Sequence, residues 1–356
     1  MCCLLLFSEK LVGQTADKNG IEYFTERTVN KKPVAKKLIL IGSDSLNKAT
    51  DTIFQCVDEH DLPVFYYKNL NQEICFDGTC RRLNVDIYWN VTGRYLGFKL
   101  PSKEFLSKSE HKPFLESEYL RLHELLKDSL SIFSSIDINE IITSKPVLSK
   151  VDAVTRPTSE DVLQYVVEGA VFTTFAMWKG IYGQAHKMVE KETEKKLNDR
   201  FMLEVLQSPV GWDRIWGLKR LFLVKNPSKA LVQRTITIAG LDEYSVSRNA
   251  ISFIPIDWLT DYQVQRSLWS IFSNIEYSLR PNLIQKLAQS QEVDKFILLE
   301  ITNDLSQQSG PLLVSSLNCL KKYIHVHPEI YKKVKELSKS ENSYIVKQVE
   351  KILSEP

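Results

Sequence analysis

The sequence predicts an α+β N-terminal domain with an antiparallel sheet, followed by an all-α solenoid of stacked helix pairs. Three observations carry this reading. Residues 72–100 alternate apolar and polar side chains between turn signals, the pattern of strands buried on one face. From Phe201 onward the alternation stops and short amphipathic segments follow one another. Between the two lies Lys187–Arg200, KMVEKETEKKLNDR, a charged stretch with Glu/Lys pairs at helical spacing. The division expected is a leader-like segment at 1–20, the α+β domain at 21–186, a connector at 187–200 and helical repeats at 201–356.

Taken in order, Lys37–Ile41 (KLILI) is a short strand. Ser43–His60 reads as a helix, with Leu46, Ala49, Ile53 and Val57 at helical spacing. Leu62–Lys68 is a strand with Pro63 near its start. In the sheet region, Val85, Ile87, Trp89 and Val91 alternate with Asp86, Tyr88 and Asn90. Thr92-Gly93 turns the chain and Tyr95–Leu100 returns, which makes an antiparallel meander. Asn90-Val91-Thr92 matches a glycosylation acceptor, but its place inside a strand pattern marks it as a chance match. A helix follows near Glu116–Phe133, with Leu115, Tyr119, Leu122 and Leu126 as its apolar stripe and His123 beside it as a packed residue. After a loop at Ser149–Pro157, an apolar helix at 159–183 is expected to be central. Its internal Gly169 suggests close packing.

The C-terminal part offers nine amphipathic segments: Trp212–Val224, Ser228–Ala239, Ser245–Ile254, Tyr262–Ser273, Pro281–Gln289, Glu292–Thr302, Pro311–Ile324, Pro328–Leu337 and Ser343–Leu353. Their spacing gives a helix pair every ~33 to 38 residues, the mark of a HEAT-like α-solenoid. An irregular bundle is the alternative arrangement of the same helices.

Composition bounds the function. Hydrophobic residues are 43% of 356, enough for a sizeable core. Lys+Arg 46 against Asp+Glu 44 leaves no field to attract nucleic acid. Walker, GxGxxG, HExxH and paired CxxC motifs are absent. His325-Val-His327 lacks a third ligand close in sequence, and no acid–base pair stands out, so a non-enzymatic protein is expected. The run Cys2–Phe7 and the polar stretch after Gln14 resemble the end of an export signal, which predicts a periplasmic or secreted location. No later run reaches ~18 apolar residues, so no transmembrane span is expected. Cys75 and Cys80 flank the Asp77-Gly78 turn signal and could pair as a disulfide in an exported chain, or remain free thiols in a cytosolic one. Cys56 and Cys319 fall in helical patterns.

Residues 75–183 resemble the FMN-binding domain of nitrous-oxide-reductase maturation regulators and of ion-pumping electron-transfer subunits. The resemblance rests on VDIYWNVTGRYLGFKL, LPSKEFLSKSEHKPF and VDAVTRPTS before YVVEGAVFTTFAMW. It implies a phosphate-holding turn at Thr155–Ser159, with Thr155, Arg156, Thr158 and Ser159 as the cofactor-binding residues and Thr158 as the FMN acceptor. Aromatics Tyr88, Trp89, Tyr95, Phe98 and Trp178 are candidates to stack on the ring, and His111 and Lys112 to contact a polar edge, though core packing and a solvated loop explain both sets. The family motif has glycine and alanine where this chain has Arg156 and Pro157. A Cβ and a missing N–H at those places oppose a close phosphate contact. Thr158 and Asp161 approximate an ordinary capping box, and Glu160 and Asp161 suit a free helix start. The expected function is therefore a non-enzymatic envelope protein with no bound cofactor, whose helical repeats dock a partner protein. The alternative is an FMN-binding electron-transfer accessory associated with a membrane redox complex.

Overall fold

The computed structural model describes residues 20–41, 51–74, 81–108, 111–135 and 166–354. The chain divides into two units, Met1–Lys196 and Leu197–Pro356, so the boundary falls inside the charged stretch.

Unit 1 is built on a six-stranded antiparallel sheet: β1 Glu22–Phe24, β2 Ala35–Ile41, β3 Asp51–Val57, β4 Pro63–Gln72, β5 Leu83–Asn90 and β6 Tyr95–Lys99. The order is β1-β6-β5-β4-β3-β2, a meander of five strands closed at its far edge by β1. Segment 51–57, expected in a helix, is strand β3. Its helical spacing is outweighed by pairing on both sides, with Ile39 opposite Ile53 and Gln55 opposite Tyr66. Inward positions Ile53 and Gln55 are both buried, a period of two. Cys56 therefore lies in a strand.

Three α-helices among the described residues cover the inner face: α1 Glu116–Lys127, α2 Val171–Tyr182 and α3 Gln184–Glu194. Helix α1 ends earlier than expected and is followed by a 3-10 turn at Ile132–Ser134. Tyr119, Leu122 and Leu126 are buried, but Leu115 is the helix N-cap and is exposed. Helix α2 starts at Val171, not at 159. Gly169 sits at φ +72° in the turn ahead of it, a conformation no α-helix interior contains. The close approach expected of Gly169 belongs to Gly180, where an added Cβ would stand 3.1 Å from Leu70 and 3.3 Å from Ile87. Polar groups in this interface are paired. Trp89 Nε1 donates to Ile181 O at 3.1 Å, and Trp178 Nε1 to Asp128 O at 2.8 Å. The Tyr66 hydroxyl accepts from Gln55 at 2.8 Å and lies 3.0 Å from the Thr193 hydroxyl. Helix α3 is thus amphipathic, with Ala185, Val189 and Thr193 buried.

Unit 2 contains ten α-helices among the described residues: α4 Asp199–Leu206, α5 Gly211–Leu218, α6 Lys229–Ala239, α7 Tyr244–Phe253, α8 Tyr262–Trp269, α9 Arg280–Leu287, α10 Lys295–Asp304, α11 Gly310–Leu320, α12 Pro328–Glu336 and α13 Ser343–Ser354. Each of the nine expected segments is there, and α4 is added. Helices form pairs, and like packs on like: α5 on α7, α7 on α9, α9 on α11 and α11 on α13. First helices start at Lys229, Tyr262, Lys295 and Pro328, 33 residues apart. Ser228, Asp261 and Asp294 cap three of them by accepting a first-turn N–H. Leu218, Ile251, Ile284 and Leu317 recur at the same interval and are all 0% exposed. The next step falls on Glu350, which is exposed.

Buried and half-buried polar side chains staple successive pairs. Arg234 donates to Leu206 O through Nε (3.1 Å) and a terminal nitrogen (2.9 Å), and Lys286 Nζ donates to Ile254 O at 3.1 Å. Each satisfies a carbonyl at a helix end that has no partner within its own helix. Gln265 donates to Leu259 O and Glu292 O and accepts from Asp294 N, with distances of 2.7 to 2.8 Å.

The 33-residue register predicts opposite outcomes at two equivalent positions. Ile284→Ala should cost about 2–5 kcal/mol by opening a cavity. Glu350→Ala should stay within about 0.5 kcal/mol. Urea unfolding midpoints of the two variants measure the difference.

Candidate functional site

Thr155, Arg156, Thr158 and Ser159 lie outside the described residues, as do Cys75 and Cys80. Helix α2 begins twelve residues after Ser159, and its N-cap position is Ala170. Of the aromatics, Trp89, Tyr95, Phe98 and Trp178 are core residues, exposed by 4% or less. Tyr88 is on the opposite sheet face, in contact with Phe24, Phe65 and Tyr67 at ring separations of 5.0 to 5.9 Å. His111 is exposed in its loop. Asn90 of the glycosylation triplet is fully buried, accepting from Thr28 N at 3.0 Å.

His123 is buried, with Nδ1 3.1 Å from the Tyr95 hydroxyl and its ring beside Tyr23 and Phe98. Burial, helped by Lys127, brings its pKa down to about 4, so the imidazole stays neutral. Burial likewise pushes the Tyr95 hydroxyl well above its ordinary range. This pair is a core hydrogen bond without access for a substrate. Among the described residues no group of three or more His, Cys, Asp or Glu could hold a metal ion. His327 occupies the N-cap position of α12 and stacks on Tyr323.

Unit 2 presents a different kind of site. Its second helices open at Gly211, Tyr244, Tyr277, Gly310 and Ser343, again 33 residues apart, where Tyr277 begins a 3-10 turn leading into α9. An exposed aromatic stands on the first turn in four of the five: Trp212 (74% exposed), Tyr244 (47%), Tyr277 (53%) and Tyr344 (50%). Because successive second helices pack on each other, these rings share one rim of the array. Exposed Asp242, Glu243 and Glu276 stand among them.

The rim loops are held from below. Asp213 is fully buried and accepts from the Ser208 hydroxyl at 2.9 Å. Arg214 donates to Ser208 O at 2.9 Å and pairs with Glu243. Arg280 donates to Ser273 O at 2.8 Å and lies over the Phe272 and Tyr277 rings at 5.4 and 5.5 Å. Rings on braced loops lose little freedom when a partner covers them. Sequence reading missed this rim, although aligning the chain at 33-residue steps places Tyr244 and Tyr277 in one column.

No family model, curated protein or solved structure matches the chain.

His123 sets a pH dependence. Its folded pKa is below the unfolded value of 6.5, so the unfolded chain takes up a proton first as pH falls. Stability should therefore be full above pH 6.5 and drop by roughly 3 kcal/mol on approach to pH 4. His123→Gln keeps an acceptor for Tyr95 and should flatten the slope between pH 6.5 and 4.5 in urea titrations.

Proposed function

We propose that this is a non-enzymatic docking protein whose helical array receives a partner polypeptide along the rim of Trp212, Tyr244, Tyr277 and Tyr344. The observation that carries it is the recurrence of exposed aromatic rings on the first turn of the second helix in four of the five repeats. Tyrosine and tryptophan dominate the energetics of protein interfaces, because each buries a large rigid surface with few rotors. A row of them suits an extended segment that runs across several pairs. Asp242, Glu243 and Glu276 favour a segment carrying lysine or arginine, which can stack on the rings and meet the carboxylates.

An envelope location belongs to the same proposal and is supported by the apolar run Cys2–Phe7. Among the described residues no helix is long and apolar enough to cross a membrane. The flavin alternative has the likeness at Val151–Ser159 as its support.

The test compares two sets of exposed aromatics in the full chain. A partner co-purified with the protein from its native cells and identified by mass should bind wild type. The triple variant Trp212→Ala, Tyr244→Ala, Tyr277→Ala should lose at least about 2 kcal/mol of affinity for it. Phe253→Ala and Phe296→Ala, which remove exposed rings away from the rim, should change affinity little. Equal binding by the triple variant and wild type contradicts the proposal.

A further inference from the structure

Strand β2, Ala35–Ile41, is an edge of the unit 1 sheet: β3 pairs with one side of it, and among the described residues no strand pairs with the other. Its pairing with β3 runs without a register shift from Ala35 opposite Val57 to Ile41 opposite Asp51. Leu38 and Leu40 are 57% and 61% exposed on it, and Val34, just ahead of it, is 66% exposed. A free edge presents a row of backbone N–H and C=O groups, which proteins commonly shield with a short, bulged or proline-broken strand. The opposite edge is shielded in this way, since β1 is three residues long and half-buried. Strand β2 is seven residues long, has neither proline nor bulge, and turns leucine toward water.

The geometry points to this edge as the docking site for an extended segment of a partner protein, added as a further strand, apolar beside Leu38 and Leu40 and acidic beside Lys36. Main-chain hydrogen bonds along the edge hold such a segment, and its alternate side chains select it. The sheet face it joins is apolar. Phe54, Tyr67 and Tyr88 stack in a row across β3, β4 and β5, with ring centres 4.8 and 5.4 Å apart. Leu38 stands opposite Phe54 at the end of that row. A valine or isoleucine from an added strand continues the row and covers the leucines. Lys36 sets the charge. Its Nζ lies 5.2 Å from the centre of the Phe54 ring and 3.5 Å from the Tyr67 hydroxyl. Among the described residues no carboxylate pairs with it, whereas its neighbour Lys37 pairs with Asp61. A glutamate or aspartate on the incoming strand supplies the charge that Lys36 lacks. A second copy of the chain meets that need poorly, since AKKLILI has lysines and no acid to place opposite them. This surface belongs to unit 1 and does not rest on the aromatic rim of unit 2.

The test uses three fluorescein-labelled synthetic peptides, titrated into the full chain near neutral pH and read by anisotropy. Each alternates valine with threonine. The first ends in glutamates and the second in lysines. The third is the first with N-methyl groups on successive backbone nitrogens, so that both of its edges are blocked. The glutamate peptide should bind saturably, and the methylated one at least about tenfold more weakly. It should bind the rim variant Trp212→Ala, Tyr244→Ala, Tyr277→Ala as it binds wild type. In that rim variant, which removes the competing site for a basic segment, the lysine peptide should bind at least about threefold more weakly than the glutamate peptide. Adding Lys36→Glu should reverse that preference, and Leu38→Ser with Leu40→Ser should weaken both unmethylated peptides. Absence of saturable binding, equal binding of the methylated peptide, a charge preference that Lys36→Glu leaves unchanged, or loss of the glutamate peptide in the rim variant overturns the assignment. A dimer in sedimentation that Leu38→Ser and Leu40→Ser dissociate gives the edge to a second copy and overturns it equally. If the leucine variant does not fold, the three peptides and Lys36→Glu decide the question by themselves.

Discussion

A pair of short helices cannot bury an apolar face of its own; it needs the next pair. That constraint organises the whole of unit 2. Leu218, Ile251, Ile284 and Leu317 are fully buried because each is covered by neighbours in the stack. The interval between them is the same 33 residues that separates the helix starts. At the next step after Leu317 the residue is Glu350, which faces water. The apolar stripe thus fixes the step, and the step places every other recurring feature.

The exposed rings follow from it. A side chain on the first turn of a second helix has its neighbours' equivalents one step away, so a single residue choice repeated in sequence becomes a row in space. The braces beneath the row are polar but buried: Asp213 on Ser208, and Arg214 on a loop carbonyl and on Glu243. Such groups are tolerated in the interior because the Asp213 carboxylate and the terminal nitrogens of Arg214 have partners. Unit 1 follows different rules. A single sheet face is covered by α1, α2 and α3, and Gly180 sets how closely α2 can lie on it. Among the described residues a cavity of about 470 Å³ lies between β4 and α2.

The helices of unit 2 were legible because each carries a local signal, an amphipathic stripe and often a polar cap such as Ser228 or Asp261. The meander at β5 and β6 was legible for the same reason, through alternation and the Thr92-Gly93 turn. Strand β3 was not. Ile53 and Val57 fit a helix spacing as well as a strand, and only pairing with β2 and β4 decides between them. The start of α2 was misplaced because Gly169 reads as a packing glycine in sequence, whereas its φ of +72° makes it a turn residue. The rim escaped notice for a different reason. Sequence reveals that Tyr244 and Tyr277 are spaced by one repeat, but exposure is a property of the packed array.

The stacking register is best tested by native-state hydrogen exchange on the full chain, read residue by residue through unit 2. Slow amides should recur at 33-residue intervals around Ile251, Ile284 and Leu317, and protection should fall off through the last helix, Ser343–Ser354. Protection with no such interval, or as strong around Glu350 as around Ile284, would contradict the stack and leave the rim without its geometric basis.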